Sequence, residues 1–173
     1  PATVCEDCSV GYVSIPGATV CLSCPAGRFY DNTSIAVCSG CAAGQYQDVE
    51  AQTSCIDCAA GQHANSTNQS LCAACPSGTH TSTSGLETCL ACTAGTYASQ
   101  SATEGTPCHA GRADSDSGPA TPCVTCSNGQ YSAAGSTGCT DCVAGQADLD
   151  SDPSTVCSSC APGFYAEVGG FLC

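Results

Sequence analysis

Cysteine pairs of the form Cys-x-x-Cys recur along this chain at steps of 16–18 residues. They begin at Cys5, Cys21, Cys38, Cys55, Cys72, Cys89, Cys123, Cys139 and Cys157, and single cysteines stand at Cys108 and Cys173. A fixed period is the mark of a repeat architecture and outweighs any residue-by-residue assignment of elements. Three places after the second cysteine of every repeat stands a glycine: Gly11, Gly27, Gly44, Gly61, Gly78, Gly95, Gly111, Gly129, Gly145 and Gly163. At the fifth place stand Val13, Phe29, Tyr46, His63, His80, Tyr97, Ala113, Tyr131, Ala147 and Tyr165. The glycine predicts a turn with positive φ or a close backbone approach that a Cβ would obstruct. The ring at the fifth place is expected to lie over the disulfide and form a miniature core in each repeat.

Composition agrees with many small cores rather than one large one. The 173 residues hold no Trp, no Met, three Phe and six Tyr, too few large side chains to fill a shared interior. One ring per repeat cannot offset the ordering of the chain around it. Each repeat is therefore expected to lean on its neighbours, as in other quasi-one-dimensional arrays. The predicted fold class is small and disulfide-rich. It is an elongated array of about ten loops of ~17 residues, with short β-strands and turns, no helix bundle and no single large core. Layers of about 10 Å would give a rod on the order of 100 Å long. Residues 1–173 read as one continuous array, uniform over 5–105 and alternating long and short loops over 108–173, with a second period of two repeats.

Twenty cysteines place the chain among disulfide scaffolds, which persist in oxidising compartments outside the cell or on its surface. The chain starts at Pro1 without a leader, as expected of a mature or trimmed piece of a secreted protein. Connectivity does not follow from sequence alone. The simplest ladder joins the second cysteine of one repeat to the first of the next. It gives Cys8–Cys21, Cys24–Cys38, Cys41–Cys55, Cys58–Cys72, Cys75–Cys89, Cys108–Cys123, Cys126–Cys139, Cys142–Cys157 and Cys160–Cys173. Where repeat seven should open with a cysteine the chain reads Gly105, so Cys92 and Cys5 are left over. A Cys92–Cys108 bridge is an alternative that strands Cys123. Left-over cysteines suggest an intermolecular bond or a free thiol. Cys5 pairing with an upstream segment while Cys92 stays idle is one expectation; a Cys5–Cys92 bond between neighbouring subunits is the other.

The pattern Cys-x-x-Gly-x-(Tyr/Phe), closed by a cysteine 13–15 residues on, resembles the looped module of tumour-necrosis-factor-receptor cysteine-rich repeats. Tandem copies joined through Cys-x-x-Cys are similar to ephrin-receptor-like repeats, and such arrays resemble those of protist surface proteins. The resemblance covers nearly the whole chain. It implies an extracellular rod of small disulfide-laced modules. It does not carry receptor function, because the two module kinds of tumour-necrosis-factor receptors do not alternate here and no cytokine-binding loop maps onto the chain.

Fifteen acidic residues against Arg28 and Arg112 give a net charge of −13, which opposes binding to nucleic acid or anionic lipid. No apolar run reaches the length of a membrane span. Zinc is the rival use of Cys-x-x-Cys, but a zinc site needs no Gly-x-aromatic signature. Redox catalysis needs a positive microenvironment and a βαβ context that the sequence lacks. His63 and His80 occupy the fifth place, ring for ring. With His109 they build no nucleophile–His–carboxylate arrangement, so an enzyme is not expected. No cofactor is required. Calcium is the one candidate, weak, at Asp114 and Asp116 in one long loop and at Asp148, Asp150 and Asp152 in another. Three sequons, at Asn32, Asn65 and Asn68, fall near loop tips where a glycan would project into water.

The function expected from these features is structural: a glycosylated extracellular stalk, surface-coat or fibre subunit, associating with itself. A receptor-like or adhesion ectodomain that binds a protein or glycan is the alternative.

Overall fold

A computed structural model describes residues 7–32, 37–116 and 118–173. It forms two compact units, one of Pro1–Cys75 with Thr81–Cys89 and the other of Pro76–His80 with Leu90–Cys173. Both are built from the same loop. We number the loops one to ten by their opening cysteines: Cys8, Cys24, Cys41, Cys58, Cys75, Cys92, Cys108, Cys126, Cys142 and Cys160. Among the described residues there is no helix, and the strands are two residues long.

The strands come from a simple local rule. Residues four and five places after the opening cysteine pair, antiparallel, with the two residues inside the next Cys-x-x-Cys. Tyr12–Val13 pairs with Leu22–Ser23, Gln62–His63 with Ala73–Ala74, and Gln146–Ala147 with Ser158–Ser159. Loop six keeps the rule without a disulfide, pairing Thr96–Tyr97 with Thr106–Pro107. The fourth- and fifth-place residues of loop ten, Phe164 and Tyr165, lie in no strand. Nine disulfides close the other loops, joining each opening cysteine to the first cysteine of the next repeat over separations of 13–15 residues.

Successive loops are joined through the conserved-position glycine. Its carbonyl accepts the N–H of the next opening cysteine, as in Cys41 to Gly27 at 3.0 Å and Cys142 to Gly129 at 2.8 Å. Its own N–H donates to the sixth-place residue of the next loop. Gly27 bonds the carbonyl of Gln47, Gly44 that of Ala64, Gly78 that of Ala98 and Gly145 that of Ala166, at 2.7–2.9 Å. A further bond returns from the loop tip: Ala51 donates to the Cys24 carbonyl, Asn68 to Cys41, Gly85 to Cys58, and Gly169 to Cys142. Much of the turn's backbone hydrogen-bonding capacity is thus met within the array.

The glycine also meets the loop two places on. Gly27 has φ +81°, and a Cβ there would overlap the carbonyl of Asn68 in loop four. Gly129, also at φ +81°, lies equally close to the carbonyl of Gly169 in loop ten. Both requirements, positive φ and a bare Cα, fall on the same residue, which is why no other residue type fills the place.

The core does not sit where the rings are. Phe29, Tyr46, His63, His80, Tyr97 and Tyr131 are half-buried, and Tyr165 is 66% exposed. The buried positions are chiefly the opening cysteines Cys24, Cys41, Cys58, Cys75, Cys108, Cys126 and Cys142 and the sixth-place residues Gln47, Ala64, Thr81, Ala98, Asp114, Ser132, Asp148 and Ala166. The expectation of a ring-centred core is therefore corrected. Ala113 and Ala147 are the fifth-place residues that are fully buried. The sixth residue carries the inter-loop hydrogen bond and so faces the neighbouring loop, while a fifth-place ring caps the outer side of its hairpin.

Candidate functional site

Three places in the array hold chemistry beyond the scaffold: the sequon asparagines, the irregular loop six, and the acidic long loops seven and nine.

Asn32, Asn65 and Asn68 are all exposed. Asn65 has an ordinary backbone conformation, and its amide oxygen accepts only from the adjacent Ser66 hydroxyl at a long 3.4 Å. Asn68 is different. It adopts φ +62°, its N–H is bonded to Cys41, and its side-chain oxygen lies against the bare Cα of Gly40. Asn32 also has positive φ, +58°, and accepts from the Tyr30 hydroxyl; its sequon partners Thr33 and Ser34 lie outside the described residues. Asn65 therefore presents its amide most openly.

Loop six is open. Among the described residues Cys92 is the free cysteine. It is half-buried, and its Sγ lies 3.8 Å from His80 Nδ1. A Cβ built on Gly105 would stand 3.3 Å from that sulfur. Position 105 is thus where the missing partner would sit. Cys5 lies outside the described residues. His63 makes the equivalent contact with a closed loop, Nδ1 to Cys89 Sγ at 3.2 Å. His63, Cys75 and Cys89 cluster closely enough for a metal, but Cys75 and Cys89 are bonded to each other and offer no thiolate. His109 donates nothing through its ring; its carbonyl accepts the Arg112 N–H.

Loops seven and nine are built alike. The sixth-place residue is Asp114 or Asp148, and both are buried, 4% and 5% exposed. Here the side chain replaces the backbone carbonyl as acceptor. Asp114 Oδ2 takes the Gly95 N–H at 3.3 Å, and Asp148 Oδ2 takes the Gly129 N–H at 3.2 Å. Two places on, Asp116 accepts the Gly118 N–H at 2.8 Å and the Thr121 hydroxyl at 3.0 Å. Asp150 accepts the Asp152 N–H and the Thr155 hydroxyl in the same way. The backbone N–H first, and then the threonine hydroxyl, hold both carboxyls below the ordinary aspartate value of 3.8. Asp152 accepts from Ser154 through its N–H and its hydroxyl. Asp114 and Asp116, and likewise Asp148 and Asp150, thus stand two residues apart in matching turns, while Asp152 donates its N–H to Asp150 and caps the turn that follows through Ser154.

Apart from Asp114 and Asp148, named as calcium candidates, the sixth-place residues were not singled out from the sequence, and none was expected to form the core. The signal was available: apart from Tyr30 the place holds only small or polar residues, Ser14, Gln47, Ala64, Thr81, Ala98, Asp114, Ser132, Asp148 and Ala166.

No curated protein matches the chain. Disulfide-rich repeats of this kind are typical of extracellular domains, and no helix among the described residues is long and apolar enough to cross a membrane. Residues 27–68, from the glycine of loop two to the tip of loop four, match the family described as tyrosine-protein kinase ephrin type A/B receptor-like, and the same disulfide-closed loop continues through the tandem array on either side of that match.

Proposed function

We propose that the chain is a glycosylated structural protein of the extracellular space, a stalk, surface-coat or fibre subunit that associates with itself. The observation that carries this reading is the uniformity of the loop-to-loop contact. The glycine carbonyl takes the N–H of the next opening cysteine from loop to loop, and the glycine N–H goes to the sixth-place residue through its carbonyl or, in loops seven and nine, its carboxylate, so one contact pattern serves the array. Exposed apolar residues support association. Loop ten leaves Phe164, Tyr165, Val168, Phe171 and Leu172 exposed, and loop one leaves Val10, Ile15, Val20 and Leu22 exposed. Asn65 is the favoured glycan site of the proposal.

Negative-stain microscopy and sedimentation of the glycosylated chain test it. Regular filaments, or a mass that rises with concentration, are expected. A strictly monomeric particle at every concentration overturns it. The match over residues 27–68 favours a second reading, a receptor-like ectodomain. That reading requires a monomer with saturable binding to a protein or glycan.

A further inference from the structure

Among the described residues, Asp114 Oδ1 is the buried side-chain oxygen without a hydrogen-bond partner. Burying an acceptor without a donor is costly, and burying a charged one more so. The other oxygen of the same carboxyl is engaged by the Gly95 N–H. Two residues on, in the same loop, stands Asp116, whose carboxylate is held by the Gly118 N–H and the Thr121 hydroxyl. Two ionised carboxylates are both acceptors, so neither satisfies the other. A cation held by both would satisfy the orphan oxygen. The chain has little of its own to offer, with two Arg and no Lys against fifteen acids.

We propose that Asp114 Oδ1 and the Asp116 carboxylate hold one calcium ion in loop seven. The donor set is all oxygen and doubly anionic, which selects a hard divalent cation, and calcium is the abundant one outside cells. Asp116 is pre-positioned for the task. Gly118 and Thr121 fix its carboxylate two residues from the buried Asp114, while the residue itself stays exposed, so that water can complete the coordination. Loop nine provides an internal comparison. Asp148 is placed like Asp114, yet no buried oxygen of Asp148 lacks a partner. The orphan oxygen is what singles out loop seven for the proposal.

Calorimetric titration of the intact chain with calcium chloride near neutral pH tests the proposal, with amide shifts of Gly95 and Gly118 followed by NMR. One ion per chain is expected, with a Kd in the range of roughly 0.1–1 mM found for extracellular modules. Asp114→Asn keeps an oxygen for the Gly95 N–H and removes the charge. It should weaken binding at least ~10-fold, while Asp148→Asn leaves it unchanged. Asp116→Asn serves the same purpose if the first variant fails to fold. Absence of heat and of amide shifts up to about 10 mM calcium overturns the proposal. So does equal loss of binding in Asp148→Asn. A protonated carboxyl signal from Asp114 or Asp116 that persists at neutral pH in calcium would assign the orphan oxygen a shared proton and overturn it too.

Discussion

Gly105→Cys should close loop six and give the chain its tenth disulfide. The position lies 13 residues from Cys92, the same separation as in Cys8–Cys21, Cys126–Cys139 and Cys160–Cys173. Its Cβ would fall 3.3 Å from the Cys92 sulfur, and the Gly105 backbone stays out of the left-handed region, so a side chain is tolerated. The strand pair that flanks it, Thr96–Tyr97 with Thr106–Pro107, is already formed. The new bond therefore costs little in rearrangement, apart from Thr96 Oγ1, which lies 3.2 Å from the added Cβ and must yield slightly. Closing a loop of this length removes about 3 kcal/mol of unfolded-chain entropy in the polymer model. If the loop melts with the chain, that is a rise of roughly 6–12 °C in Tm. Differential alkylation followed by peptide mass mapping reads the thiol, and a thermal scan reads the stability. Cys92 should be alkylated in the parent and protected in the variant. A variant in which Cys92 is still alkylated, or in which Tm stays within about 1 °C of the parent, would refute the reasoning that loop six is a closed-loop geometry lacking only its sulfur.

Ala98→Leu overfills the sixth-place core and should cost about 1–3 kcal/mol, whereas Tyr165→Ala, at an exposed fifth-place ring, should cost under ~0.5 kcal/mol; thermal denaturation ranks them, and the opposite order would restore the rings as the core. Because Asp116 and Asp150 titrate below 3.8 when folded, the unfolded chain binds protons more readily. Their contribution is complete above the ordinary carboxylate range and is lost as pH falls through the lowered values. Thr121→Val with Thr155→Val should flatten the fall of Tm below about pH 4, and parallel curves would remove that assignment. Asn65→Gln should abolish most of the mobility shift produced by enzymatic removal of N-glycans, and Asn68→Gln little of it; equal effects would show that the contact with Gly40 does not restrain Asn68.

The covalent frame was legible because sulfur and glycine carry position-specific signals. A cysteine either has a partner at the right spacing or does not, and Gly95 or Gly105 stands out at once. The core was not legible. Ala64, Thr81, Ser132 and Asp148 share no hydropathy, only a small size and an ability to sit under a neighbour's N–H, and periodicity of apolar residues cannot register that. The tyrosines at the fifth place misled for the complementary reason: a large ring on a two-residue hairpin has one face on the protein and one in water. The Asp-rich loops were visible as sequence, but that Asp114 is buried and Asp152 is not depends on which residue meets the glycine of the preceding loop. The two-repeat period seen over 108–173 agrees with the contact between Gly111 and the Pro153–Ser154 turn, and between Gly129 and Gly169, each of which joins loops two places apart.

That contact has a bearing on how such a chain can lengthen. Over loops seven to ten it matches like with like: the loop closed over 15 residues at Cys108–Cys123 meets the one at Cys142–Cys157, and the 13-residue closures at Cys126–Cys139 and Cys160–Cys173 meet each other. Duplicating a neighbouring pair of loops would leave every size match intact. Duplicating one alone would set wide turns against narrow ones at the contacts that span the insertion, so growth and loss of sequence here should proceed in twos.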